Sequence, residues 1–215
     1  MHLGIPRRVP RRPDLWPRAW RRRPITALLL VLAIAAIVAV RSRTPPGSDY
    51  ERCQNRTARC VYVVDGDTID VAMPDGKKPN TRIRLWGVDT PESAKSAGGP
   101  MYFGPEASAF TRSCVENVDV TIVLDPRQSR DKYGRLLAYV YFGEPPLMLN
   151  EELIARGYGY ADTRFDHSWK QRFTDLESRA RKARLGLWAN VQPEQMPPWR
   201  QRYEAWKAGA SRPGQ

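Results

Sequence analysis

Three short runs of β-branched and aromatic residues, separated by two glycine-bearing turns, constrain this chain more than anything else in it. Residues 60–64, 68–73 and 82–88 read as strands, with Asp65-Gly66-Asp67 and Pro74-Asp75-Gly76 as the turns between them. Residues 104–115 then turn helical, with Pro105 at the first helical position, Glu106 in the first turn and Ala107, Phe110 and Cys114 as the apolar stripe. Residues 118–124 and 136–142 return to strand type, while 147–156 and 167–184 have the pattern of amphipathic helices. Five short strands with a helix inserted between the third and fourth fit a small, partly open Greek-key barrel. The expected fold is therefore α+β: a five-stranded barrel of the oligonucleotide-binding (OB) class with three helices. No segment repeats, so residues 60–190 are expected to be one domain, followed by a tail over 191–215.

The third run continues as Arg84-Leu85-Trp86-Gly87-Val88-Asp89-Thr90-Pro91-Glu92. It carries a cation at one end and delivers two carboxylates three residues apart at the other, where Pro91 ends the ladder because it has no N–H. Taken alone, Asp-Thr-Pro-Glu is equally an ordinary turn, since Asp and Pro favour turns for local reasons. The first turn contributes further acids, Asp65 and Asp67, so that hard oxygen ligands come from two different strands. Arg84 and Arg135 are planar, permanently charged forks suited to a phosphate, although either alone is an ordinary surface arginine.

Four motifs in register make the pattern specific. They are Val63-Val64-Asp65-Gly66-Asp67-Thr68, Arg84 to Glu92, Tyr102-Phe103-Gly104-Pro105-Glu106, and Asp131-Lys132-Tyr133-Gly134-Arg135. In that order and spacing the chain resembles the staphylococcal nuclease (thermonuclease) family over roughly residues 60–189. The resemblance implies the same barrel and a Ca²⁺-dependent endonuclease. Such an enzyme hydrolyses DNA and RNA with little sequence preference and leaves 3′-phosphate ends. It implies Asp67, Asp89 and the backbone carbonyl of Thr90 as Ca²⁺ ligands, Glu92 as general base, and Arg84 and Arg135 as catalytic grips on the phosphate. Lys132 and Tyr133 would hold a neighbouring phosphate, with Tyr158 and Tyr160 as candidate base-stacking residues and Phe165 nearby. Asp65 would shape its turn or tune the metal without binding it directly, and Asp70 would point to solvent. Two departures stand out. The loop after the second helix is about two residues shorter, and Ser93 to Met101 holds one lysine where the family's founding member is lysine-rich. The alternative is a catalytically silent module that binds nucleic acid or serves as an envelope scaffold, for which a damaged set of acids and arginines would be the signature.

Charge adds less than it first suggests. The net +12 resembles a nucleic-acid footprint, yet residues 1–43 hold ten Arg against one Asp, which leaves 25 basic and 22 acidic groups for residues 44–215. Attraction to a polyanion must then come from local placement of cations. Residues 25–40 are sixteen residues with no charge and one polar side chain, flanked by arginines. The run is apolar on every face and lacks a good small-residue cleavage site, which favours a transmembrane signal anchor over a cleaved signal peptide. The basic residues 1–24 are expected in the cytoplasm, with 41–59 as a linker and the nuclease-like domain on the extracytoplasmic side of the cell membrane, or secreted if the leader is cleaved. In that oxidising compartment Cys53 and Cys60, seven positions apart, are candidates to close a small disulfide loop. Cys114 is left over as a small buried apolar residue. No protein partner is implied, and the domain is expected to act as a monomer.

Overall fold

The computed structural model of the chain describes residues 48–93 and 99–209. The expected cytoplasmic segment 1–24 and membrane anchor 25–40 lie outside the described residues, as do residues 94–98 of the lysine-poor loop. Among the described residues no helix is long and apolar enough to cross a membrane.

The barrel is built by strand β1 (Arg56–Asp65), β2 (Thr68–Val71), β3 (Thr81–Leu85), β5 (Asp119–Leu124) and β6 (Leu136–Phe142), with β4 (Val88–Asp89) standing outside it. β1 pairs antiparallel with both β2 and β5, and β5 with β6. The ring closes where β6 runs parallel to β3, with Ile83 opposite Leu136 and Leu85 opposite Ala138. It is thus a closed barrel rather than the partly open one expected. Closure depends on β1, whose ten residues serve two neighbours. Irregularities at Cys60/Tyr62 and Val63/Asp65 bend it from one partner to the other, as bulges do at barrel corners. Val63, Ile69, Ile83, Leu85, Ile122, Leu136 and Val140 are buried together inside.

Among the described residues five α-helices, against the three expected, surround the barrel: α1 (Asp49–Cys53), α2 (Gly104–Val115), α3 (Leu149–Ala155), α4 (Lys170–Lys182) and α5 (Pro198–Lys207). The inward face of α2 is Ala107, Ser108, Thr111 and Val115, while Phe110 and Cys114, expected in the apolar stripe, are only half-buried. Two strands of two residues each complete the sheets, β7 (Leu147–Met148) on β6 and β8 (Tyr160–Ala161) on β4.

Several expectations need correction. The segment expected as a linker forms α1 and the start of β1 from residue 48 onward. α1 is held by Arg130, whose guanidinium donates to Asp49 (2.7 and 2.8 Å) and to Asp75 (2.8 and 2.9 Å). Cys53 and Cys60 are both free and fully buried in the core, so each acts as a small apolar residue, and burial pushes the Cys60 thiol up to about 11. The third strand breaks at Trp86-Gly87. Gly87 takes φ +79°, and a Cβ there would lie 2.4 Å from the His167 ring, so the backbone turns where His167 fills the space a side chain would need.

His167 belongs to a buried polar cluster that ties α4's approach to the barrel. The Tyr139 hydroxyl donates to Asp125 (2.8 Å) and lies 3.2 Å from His167 Nδ1. The Ser168 and Arg127 amides also donate to Asp125, at 2.7 and 2.9 Å. Burial raises the Asp125 carboxyl, but these donors outweigh it and hold the group at about 2 against an ordinary 3.8. Because the folded value lies below the unfolded one, the contribution of about 2 kcal/mol is complete above about pH 5 and disappears as pH falls through about 2. Urea midpoints should show that Asp125→Asn costs about that much at pH 7 and progressively less toward pH 3.

Candidate active site

Side chains alternate along β3, so Ile83 and Leu85 enter the barrel while Arg82 and Arg84 face outward. Thr68 is the cross-strand partner of Arg84, and the Leu85 amide donates to the Asp67 carbonyl at 2.8 Å. The Asp-Gly-Asp turn is thereby fixed directly beside Arg84. Gly66 makes the turn possible at this spot, since a Cβ there would lie 2.7 Å from Thr90 Oγ1.

Arg84 sits between two carboxylates with its side chain 12% exposed. It pairs with Asp67 and donates to Asp89 Oδ1 at 2.5 Å. Asp67 Oδ2 also accepts the Thr90 amide (2.8 Å) and hydroxyl (3.1 Å), and Asp67 Oδ1 accepts the Thr68 hydroxyl (3.0 Å). Burial works against the charged guanidinium, but Asp67, Asp89 and Asp162 more than reverse this and raise its pKa. For Asp89, burial is the leading effect and pushes the carboxyl up against the pull of Arg84.

Glu92 follows on the exposed rim. Its carboxyl is pushed up to about 7, first by burial of the acid end, then by a hydrogen bond with Asp65 and the charges of Asp65, Asp67 and Asp89. Asp65 itself caps the turn, accepting the Gly66 amide at 2.8 Å and the Ser93 amide at 3.3 Å. Arg135, which lines the same cleft, is aimed by Asp131, which takes its Nε at 2.7 Å and its backbone amide at 2.9 Å. Tyr133 is 72% exposed, with Lys132 Nζ 5.0 Å and the Arg135 guanidinium 5.5 Å from its ring.

One cleft of about 720 Å³ collects Asp67, Arg84, Asp89, Glu92, Lys132, Tyr133 and Arg135. Thr90 is buried beside it. Asp70, expected to point to solvent, is half-buried and grips Arg82 at 2.8 and 2.9 Å. The two candidate stacking tyrosines are elsewhere. Tyr160 is fully buried, edge-on to Trp188 (5.4 Å) and Trp199 (6.3 Å), and Tyr158 stacks on Phe110 at 4.4 Å. Neither lines the cleft. The aromatic that does so on that side is Phe165, 45% exposed and 5.2 Å from Trp86.

Two cleft residues, Asp162 and Arg164, and one residue behind Asp89, Trp199, had no site role in the sequence reading. Arg164 is clamped by Asp162 at 2.7 and 2.8 Å, and its Nη2 reaches Asp89 Oδ1 at 3.2 Å. Asp162 is buried. Trp199, from the C-terminal segment, donates its indole N–H to Asp89 Oδ2 at 2.7 Å. Nothing short-range in the sequence points to a contact 110 residues apart.

Among the described residues, no three His, Cys, Asp or Glu side chains group closely enough to hold a metal by themselves. The donor chemistry nonetheless suits a hard cation bound by fewer side chains. Asp65, Asp67, Asp89 and Glu92 line one cleft, with Arg84 bridging Asp67 and Asp89. Two carboxylates with a backbone carbonyl and water would satisfy such an ion.

Comparison with known proteins covers most of the chain. Residues 82–190 match the sequence model of a family described as staphylococcal nuclease homologue. The thermonuclease of Staphylococcus hyicus is 33% identical over 170 residues, which is 77% of this chain and 97% of that protein. The thermonuclease of Staphylococcus intermedius is 32% identical, over 76% of this chain and 97% of its own. The micrococcal nuclease of Shigella flexneri is 28% identical, over 82% and 94%.

The buried bridge and the surface pair on β3 should respond differently to mutation. Arg84→Met leaves Asp67 without its countercharge and Asp89 with Arg164 alone, and is expected to cost about 3–5 kcal/mol in urea unfolding with chelator present. Arg82→Met breaks an ion pair whose arginine is half exposed and should cost under about 1 kcal/mol.

Proposed function

The chain belongs to the staphylococcal nuclease homologue family, and on that premise we propose that it is a Ca²⁺-dependent nuclease that hydrolyses phosphodiester bonds in DNA and RNA. The observation that carries this reading is the intact constellation in one cleft: two carboxylates bridged by a buried arginine, with Glu92 and a second arginine, Arg135, lining the same cleft.

Asp67 and Asp89, with the Thr90 carbonyl, would hold the ion. When bound, Ca²⁺ supplies positive charge beside the scissile phosphate and offsets the crowding of the acids. Glu92 then serves as the base that takes a proton from the attacking water. Arg84 and Arg135 approach the phosphate from two sides, and their forks strengthen as charge grows on its oxygens. Asp131 keeps Arg135 from swinging away. Lys132 and Tyr133 lie beside Arg135, where the next phosphate along a strand would fall. Aromatic stacking tolerates any base, so little base preference is expected. By family analogy the products end in 3′-phosphate.

Every group this mechanism needs comes from one chain, which supports action as a monomer. The alternative, a silent binding or scaffold module, is disfavoured because none of Asp67, Arg84, Asp89, Glu92 or Arg135 is replaced. On the sequence argument alone, residues 25–40 anchor the chain in the cell membrane with this domain outside. Protease added to intact cells should remove the domain, and complete protection would overturn the orientation.

Hydrolysis of single-stranded DNA by the full-length chain should require Ca²⁺ and stop with chelator. Glu92→Gln should lower the rate by about 10²–10⁴ with DNA binding kept. Binding without cleavage under every divalent metal would instead identify the silent module.

A further inference from the structure

The family match ends at residue 190, yet the chain continues into α5, and that segment reaches the site. We propose that Trp199 is a positioning residue for Asp89, so that the catalytic unit of this protein includes residues 191–207. The proposal rests on the metal-ligand role given to Asp89 above.

The geometry at Asp89 motivates it. Trp199 Nε1 donates to Oδ2 at 2.7 Å, while Oδ1 takes Arg84 at 2.5 Å and Arg164 at 3.2 Å. Donors on both oxygens leave the carboxylate one orientation, and the indole is the only one of the three that holds Oδ2. Packing alone does not require this bond. Trp86 and Trp188 are also buried, and their indole N–H groups have no partner. Trp199 packs in the same cluster as Trp188, but its N–H is aimed at a carboxylate.

A positioning group must itself be held, and its neighbour does this. Arg200, 2% exposed, donates through Nη2 to Glu177 at 2.8 Å and through Nε to Glu204 at 2.9 Å, with its guanidinium 5.5 Å from the Tyr160 ring. The other oxygen of Glu177 accepts the Ala161 amide at 3.0 Å. Ala161 lies in β8, whose Tyr160 pairs with Asp89 in β4. A closed path therefore runs from Asp89 through β8, Glu177, Arg200 and Trp199 back to Asp89. Pro197 and Pro198 enter α5 with φ fixed, which sets the first-turn position of Trp199. Arg164 stacks 4.4 Å over the Trp199 ring and so joins the same support.

Partners that orient a metal ligand are typically worth tenfold to a hundredfold in metal affinity. In the full-length chain, titrated with Ca²⁺ by calorimetry, Trp199→Phe should weaken binding by about that factor. The melting temperature in chelator should stay near that of the unmutated chain, and DNA cleavage lost at low Ca²⁺ should return at saturating Ca²⁺. Trp188→Phe, which removes an unpartnered N–H from the same cluster, should leave the affinity as it is. Unchanged affinity in Trp199→Phe, or equal weakening in both variants, overturns the proposal while the nuclease reading stands. An unmutated chain that neither binds Ca²⁺ nor cuts DNA overturns both. If Trp199→Phe does not fold, ¹⁵N spectra of the tryptophan indoles take its place. One indole N–H signal must move between the unmutated chain and Asp89→Asn, and a set of unmoved signals overturns the proposal.

Discussion

The buried guanidinium of Arg84, shared between Asp67 and Asp89, is the constraint to which the local architecture answers. Two carboxylates this enclosed would repel each other without a countercharge, and Arg84 without them would be a stranded cation. Each of the three must therefore arrive from a separate element and stop within hydrogen-bond reach. Asp67 arrives on a turn that only glycine can complete beside Thr90, Arg84 on the outer face of β3, and Asp89 on β4 after the backbone has turned at Gly87. The barrel's bent first strand and closed ring give these arrivals their precision, because a one-residue slip of β3 would send Arg84 into the apolar interior.

The same economy governs charge on the larger scale. Residues 44–215 carry nearly balanced charge, so their net charge supplies no broad field to draw a polyanion toward the cleft. Cations are concentrated along one cleft and fixed by carboxylates: Arg84 by Asp67, Arg135 by Asp131, Arg164 by Asp162. A guanidinium aimed in this way loses less freedom on meeting a phosphate than a mobile lysine, since its orientation is already set. Arg130 does the same work structurally, joining α1 to the barrel through Asp49 and Asp75.

What could be read from the sequence follows from the range of the interactions involved. The five barrel strands were legible because alternation and β-branching are local signals, and the acids and arginines were legible because their motifs are contiguous. The break at Trp86-Gly87 was not, since it answers to His167, eighty residues on. The two-residue strands are too short to carry any period. Cys53 and Cys60 read as a pair on spacing and compartment, yet each sits in the core as a small apolar side chain. In α2 the stripe was displaced because Ser108 and Thr111 are buried, Thr111 donating its hydroxyl to the Gly66 carbonyl at 2.5 Å, so polar residues took inward positions that a hydrophobic pattern cannot show.

Tyr160 shows why the site could not be completed from motifs. Its place in the chain suits a ring that stacks on bases, and such a role needs an open face. Here Trp188 and Trp199 meet it edge-on, and the Arg200 guanidinium lies over its ring. Two of these three come from residues the family match does not include. The cover turns a surface ring into a floor, and the floor supports the tryptophan that bonds Asp89. A residue's role is thus decided by what the rest of the chain lays over it. The motifs bring Asp67 and Arg84 together in one cleft because their surroundings are built from the motifs themselves, whereas Tyr160 is taken out of it by Trp188 together with Trp199 and Arg200 of the C-terminal segment.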